Sequence, residues 1–477
     1  GAAARAGPLR ATSDHAPMRR AAAVWIVLFA AYAATIGLHA FGTSQFGGDE
    51  PHYLLTADSI VSDGDVDLRD EYATRAYRHW YPYVLERHGR LTNGQANEPH
   101  GIGFPLLIAP AYALGGPLAV QLLMAAIAAL AFALSAALAR RIAPEPWAGG
   151  AALACGLSPP ALAYSTTVTP ELTAGALLAF ATLLALRVRD LPRIRWVAGA
   201  SIALAVLPWL GIAFALPGAV VALAMVRWLR RRSRGFAVLV CVEVLLFSAV
   251  VFVTINDQLF GGFTPTVADA PGNGLDDLRA RDVADRAPRI VGLWLDRTYG
   301  LLRWAPVLAL AFFALWLLWR SRRDRLAQAL PEHRDVEVAA TLCALVCAAQ
   351  LVVAGFVAPT MFGFWFPGRY LVPALPLAVA LVAWGLRHAR RVGAALVALT
   401  LVTSIWWYAE LRLGGGAIVG PSSRAPLGPL DGALPLFGTH SAGEAVATAL
   451  VAAGLAALVA REWRGWRTQV GAPRAGV

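Results

Sequence analysis

Two adjacent carboxylates, Asp49 and Glu50, stand in the run Gly47-Gly48-Asp49-Glu50-Pro51-His52-Tyr53, just past the first long apolar stretch. A carboxylate at a lipid–water boundary is partly desolvated, and a second carboxylate beside it raises its proton affinity further. Both effects suit a general base. The same pair also suits a helix start, because Pro51 fits a first turn and Asp49 or Glu50 fits an N-cap. The segment continues through Asp63-Gly64-Asp65-Val66-Asp67, which superficially resembles a calcium loop. The twelfth position counted from Asp63 is Thr74 rather than Glu, so a solvated polar loop is the expectation. Next come Tyr72, Arg75, Tyr77, Arg78, His79, Trp80, Tyr81 and Tyr83. Arginine and aromatic side chains at this density suit a helix lying in the membrane interface, and equally sugar stacking and phosphate binding. His52, His79, His88 and His100 are potential metal ligands, but no pair has a recognised ligand spacing. No metal site is therefore expected from spacing.

The elements that must position these groups follow from composition. The chain has 477 residues, 58% hydrophobic and 15% charged, with a formal net charge of +11. All 41 basic residues other than histidine are arginine. Without lysine there is neither a P-loop nor a Schiff base. A mean hydropathy of +0.56 at this length indicates a polytopic membrane protein. Windows of about 20 apolar residues fall near 21–41, 117–139, 147–167, 172–186, 196–210, 211–226, 236–255, 303–319, 338–357, 371–386, 392–408 and 443–460. The expectation is thus an all-α protein of about twelve membrane helices, with Pro208 and Pro217 making 196–226 the least secure region. The first run lacks a convincing cleavage site and reads as a span rather than a leader. Cys155, Cys241, Cys343 and Cys347 fall in apolar runs and read as packing residues.

Alternate connections carry 27 arginines on one side and 14 on the other. The positive-inside rule puts the arginine-rich side, with tails 1–20 and 461–477, in the cytoplasm. The basic surplus is then topological and implies no nucleic-acid partner. Sequence complexity collects on the outer side, in 42–116, 256–302, 358–370 and 409–442. Within a single domain over 21–460, interfacial helices are expected in 42–116, which ends in Pro- and Gly-rich 98–116. The lone intramembrane acid, Glu243, lies toward the cytoplasmic half of its span, apart from the outer motifs.

The order of motifs resembles the GT-C membrane glycosyltransferases, which include protein O-mannosyltransferases and aminoarabinose transferases. The resemblance rests on Asp49-Glu50 after span 1, Pro105…Pro110…Gly116 before span 2 and Thr169-Pro170-Glu171 at span 4. It continues with Phe260-Gly261-Gly262…Pro265, Tyr299-Gly300-Leu301…Ala305-Pro306 and Trp365…Gly368-Arg369-Tyr370…Pro373. Unlike some relatives, the chain shows no large soluble C-terminal domain. The resemblance implies an inverting transferase, working on the outer face of a bacterial plasma membrane. Its partners would be a polyprenyl-phosphate sugar, a glycan, lipid or protein acceptor, and membrane lipids. Asp49 would be the base, with Glu50 supporting it or serving structure. Arg369, Tyr370, Arg303, Arg297, Arg75 and Arg78 would bind the donor phosphate, and Glu171, His52, Tyr53 and His100 would position the acceptor. No cofactor is required, and a divalent cation stays compatible. A lipid or sugar transporter or flippase, or a non-catalytic assembly subunit of the same fold, are the alternatives.

Overall fold

A computed structural model describes residues 16–269, 285–321, 331–418, 434–438 and 441–470. Among these residues there are helices and two isolated bridges, Phe41–Ser44 and Thr92–Gln95, but no strands. The helices are α1 (Ala16–Ala33), α2 (Glu50–Ser62), α3 (Arg69–Thr74), α4 (Gly103–Ala139), α5 (Trp147–Gly156), α6 (Pro159–Tyr164) and α7 (Glu171–Asp190). They continue as α8 (Ile194–Leu210), α9 (Ala215–Arg231), α10 (Gly235–Phe260), α11 (Arg289–Leu295), α12 (Leu301–Trp304) and α13 (Ala309–Ser321). The last are α14 (Pro331–Val352), α15 (Leu375–His388), α16 (Arg390–Leu413) and α17 (Ala442–Val470).

Eight helices among the described residues are long and apolar enough to cross a membrane, and Ile194–Leu210 and Pro306–Ser321 are shorter apolar helices. The expected twelve therefore exceeds the spans that length and composition support here. One reason is local. Residues 147–167 do not form one helix, because Ser158 takes an extended conformation before Pro159-Pro160 and divides α5 from α6. The residue before a proline is driven out of the helical region. Residues 196–226 do form two helices, but the break falls at Gly211, and Pro208 lies inside α8. The proline- and glycine-rich approach to span 2 is helical from Gly103 and bends at Gly115-Gly116, where Gly116 has φ 60° and ψ −152°. Only glycine occupies that region readily. Residues 1–15 and 471–477 of the tails, and 270–284, 419–433 and 439–440 of the outer loops, lie outside the described residues.

Burial separates a core from a lipid-facing rim. In α7, 83% of the membrane window is buried, against 11% in α10 and 6% in α17. A helix apolar all round and exposed all round suits lipid contact. At the core, α4 packs on α1, α2, α5 and α7, and α15 packs on α4, α5 and α13. Glycines let the backbones approach: a Cβ on Gly385 of α15 would sit 2.6 Å from the Leu310 carbonyl oxygen of α13. The arginines of α7 complement its C-terminal dipole and tie the ends of the bundle together. Arg189 pairs with Asp335 at 2.6 Å, and Arg141 pairs with Asp190 at 2.6 Å. Glu171 opens α7 at its other end. Glu243 is exposed on α10 and far from this end.

Candidate active site

Asp49 lies at the N-cap position of α2, yet its side chain makes no capping bond. Gly48, with φ 56°, turns the chain beneath the Phe364 carbonyl, where a Cβ would come within 3.0 Å. The Asp49 carboxylate is thereby left to face the protein interior rather than its own helix. Its Oδ2 accepts a hydrogen bond from Arg369 Nη2 at 2.6 Å, and Arg369 Nε donates to Glu171 Oε1 at 2.6 Å. Arg369 follows Gly368, which has φ 90°, and starts the 3-10 turn Arg369–Ala374 ahead of α15. Its guanidinium also lies over the Trp365 ring, 5.0 Å from the centroid. Three motifs more than 300 residues apart at their extremes thus meet in one ion-paired cluster.

A second cluster flanks the first. His100 Nε2 is 3.5 Å from Asp49 Oδ1, and His100 Nδ1 is 3.8 Å from Glu98 Oε2. His52 Nδ1 is 3.3 Å from Glu98 Oε1 and 2.9 Å from the Tyr72 hydroxyl, which donates to Glu98 Oε1. The His52 and His88 rings lie 3.9 Å apart. Tyr53 packs between His100 and Phe104. The first outer loop is held over this cluster by the segment after α10. Arg90 N donates to the Ala268 carbonyl and Asn97 Nδ2 to that of Leu259, while Pro265 lies under Gly101.

Charge sorts the groups. Burial opposes ionisation of Asp49, but Arg369 and His100 outweigh it and hold the carboxyl well below the usual range. Burial likewise opposes charge on Glu98, and its bonds to His100 and His52 hold it low. His100, between two carboxylates, is raised to about 10 against the effect of its burial. Glu50 is different. Burial raises it to about 8, despite hydrogen bonds from the Val168 and Gly47 backbone N–H groups at 2.8 and 3.2 Å. Two adjacent carboxylates thus have opposite ionisation behaviour because one faces a guanidinium and the other faces backbone.

A cavity of about 610 Å³ opens beside the first cluster. Asp49, Tyr53, His100, Glu171, Arg369 and Tyr370, all named from the sequence, line it. Several expectations need correction. Glu50 points away and fastens the 165–169 loop to the start of α2, so its place is structural. His52 is buried behind His100, against Tyr72 and Glu98, rather than on the cavity wall. Arg297 donates to the Leu434 carbonyl and Arg303 to the Arg297 carbonyl, which commits both to loop packing. Arg75 and Arg78 are exposed on the loop surface, where Arg78 holds the Pro82 carbonyl. None of these four arginines lines the cavity. Trp365, which stood in the Gly368-Arg369-Tyr370 motif without an assigned role, lines it too, as do Arg87, Asn256 and Gln350, which belong to no motif read from the sequence. Linear spacing also misses the histidines. One ligand atom each from His52, His88 and Glu98 lie within 4.8 Å of one another, as do atoms of Asp49, His88 and His100. Imidazole and carboxylate ligands at such separations suit a transition-metal ion.

No family model matches the chain, and no curated protein does. Solved structures do. ArnT from Cupriavidus metallidurans bound to undecaprenyl phosphate superposes with a TM-score of 0.52 at 16% identity, over 84% of this chain and 66% of that one. The apo ArnT from the same organism gives a TM-score of 0.52 at 16% identity, over 83% and 66%. The chain therefore spans just under two thirds of the ArnT length. At this identity the likeness is one of fold, and the fold is ArnT-like.

Proposed function

We propose that the protein is an inverting membrane glycosyltransferase that moves a sugar from a polyprenyl phosphate to a hydroxyl acceptor. The observation that carries this reading is Arg369 bridging Asp49 and Glu171, at 2.6 Å each, on the wall of the cavity. A similar fold is seen in ArnT with undecaprenyl phosphate bound, which supports a polyprenyl-phosphate ligand. One base and one phosphate-binding cation suffice for a single displacement, whereas retention by double displacement needs a second carboxylate as nucleophile.

In the resting arrangement Asp49 is a weak base, because Arg369 stabilises its ionised form. A donor phosphate competes with Asp49 for the guanidinium, which favours planar bidentate oxyanions. As Arg369 turns to the phosphate, Asp49 loses its strongest countercharge and its proton affinity rises. Asp49 then accepts the acceptor hydroxyl proton. The acceptor oxygen bonds to the anomeric carbon, and the bond to phosphate oxygen breaks with its electron pair leaving on the lipid phosphate. Arg369 stabilises that charge in a site partly closed to water. Glu171 and the Trp365 ring keep the Arg369 guanidinium in register. The acceptor is an envelope glycan, lipid or protein, met on the outer face of a bacterial plasma membrane with both termini cytoplasmic.

Purified protein incubated with a panel of radiolabelled polyprenyl-phosphate pentoses and hexoses tests the reading. Transfer or donor hydrolysis is expected with one donor and lost in Asp49→Asn. Equal rates in both proteins would remove Asp49 as base. No turnover with any donor would favour a transport or assembly role.

A further inference from the structure

The acidic run Asp63-Gly64-Asp65-Val66-Asp67 and the nearby Glu71 play no part in the site above. The fold divides these acids into two groups. Asp65 Oδ1 accepts hydrogen bonds from the Ser59 hydroxyl and the Asp67 N–H, each at 3.1 Å. Asp67 accepts from the Ala96 N–H and from Arg69 Nε, each at 2.8 Å. Those two acids shape the loop. Asp63, at the C-terminal cap of α2, turns instead toward Asp70 and Glu71 in α3. One carboxylate oxygen from each lies within 4.8 Å of the other two.

Like charges this close repel, and water can screen the exposed Asp63 and Asp70. Water cannot serve Glu71 in the same way. Its side chain is 4% exposed, and neither buried carboxylate oxygen has a hydrogen-bond partner. Arg69, the adjacent cation, is turned to Asp67 at 2.7 Å. A buried acid with no donor and no cation is an incomplete arrangement.

We propose that Asp63, Asp70 and Glu71 form a divalent-cation site, selective for Ca²⁺ over Mg²⁺, that clamps the end of α2 to α3. All three ligands are hard oxygens, and two exposed carboxylates leave room for the waters that complete a coordination number of about 6–8. Ca²⁺ bonds oxygen at about 2.3–2.6 Å and spans this spread with less adjustment than Mg²⁺ at about 2.0–2.1 Å. The C-terminal dipole of α2 adds a further favourable contribution. The site is separate from the histidine cluster. The clamp braces a segment that matters, because α2 starts at Asp49 and Tyr72, next to Glu71, reaches Glu98.

The test uses full-length protein in detergent, stripped with EDTA and titrated with CaCl₂ or MgCl₂ at constant ionic strength. Heat of binding and thermal midpoint are both read. Ca²⁺ is expected to raise the midpoint saturably, with a Kd of about 10⁻⁴–10⁻³ M, in the range of extracellular modules. Mg²⁺ binds at least tenfold more weakly. Glu71→Gln and Asp63→Asn each weaken Ca²⁺ at least tenfold, while His88→Ala leaves its affinity unchanged. Asp63 is exposed, so Asp63→Asn reports on the site even if Glu71→Gln fails to fold. Absence of Ca²⁺ binding, equal binding of Mg²⁺, or full affinity in Asp63→Asn would overturn the proposal.

Discussion

Arg369 neutralises the buried Glu171 and the partly buried Asp49 at once, and that double duty makes the site sensitive at single residues. Removing one partner of a buried ion pair typically costs about 3–5 kcal/mol. Arg369→Met is therefore expected to lower the thermal midpoint strongly, and Arg369→Lys to fold better while losing donor affinity, because an ammonium cannot bridge both oxygens and a phosphate with planar geometry. Thermal unfolding beside donor KM separates the two effects. Asp49→Asn keeps the shape of the site and should cost about 100- to 10,000-fold in kcat, the usual range for a general base. Glu50 gives a pH signature instead. Its folded value of about 8 lies above its ordinary 4.5, so its contribution to stability is complete below pH 4.5 and is lost as pH rises through 8. Asp49 and Glu98 act in the opposite sense, contributing above the ordinary carboxylate range and failing as pH falls below it. Glu50→Gln should flatten the decline in thermal midpoint between pH 5 and 8 without altering the acid limb. The sequence put Asp49, Glu171 and Arg369 forward from their positions at span ends. The resemblance put Asp49 ahead of Glu50 as the base, but the physical reason for their difference, which neighbour each meets, is not in the sequence.

The elements place these residues through a few breaks rather than through smooth helices. Gly116 bends α4, so that Phe104 and the packing under Tyr53 sit on a segment angled to the rest of the helix. A Cβ on Gly116 meets open space, so Gly116→Ala carries a backbone cost alone, of about 1–3 kcal/mol. It should lower the thermal midpoint and slow turnover together. Gly454→Ala in α17 also meets open space, but in regular helix, and is expected to be neutral or slightly stabilising. Gly103→Ala adds the steric case, with the Trp209 carbonyl oxygen 2.3 Å from the new Cβ. Proline and glycine positions were legible as breaks. Their division of labour was not, since Pro208 is absorbed into α8 while Gly211 ends it. A proline costs little where the freed backbone groups find other partners, and sequence does not show those partners.

The whole molecule has two chemically distinct ends. One gathers arginine pairs such as Arg141–Asp190 and Arg189–Asp335, and the other gathers Asp49, Glu171, Arg369, Glu98 and His100. If the arginine-rich end is cytoplasmic, a cysteine at exposed Leu91 should react with a membrane-impermeant maleimide in intact cells, and one at exposed Leu191 should react only after lysis. The native cysteines are buried or partly buried and give a low background. Reversed labelling would place the cavity inside the cell, where the proposed donor is not presented.

Hydropathy, arginine asymmetry and motif order by themselves determined a helical membrane protein with its chemistry at one end. Those properties depend on transfer between water and lipid, which acts on each segment almost independently of the others. Only the tertiary structure decided which charges are partners. It joined Arg369 to Asp49 and Glu171, withdrew Arg297 and Arg303 into loop packing, and brought three histidines of one loop together around Glu98. Ion pairing and desolvation depend on distances of a few ångströms between residues hundreds of positions apart, and spacing along the chain does not fix such distances.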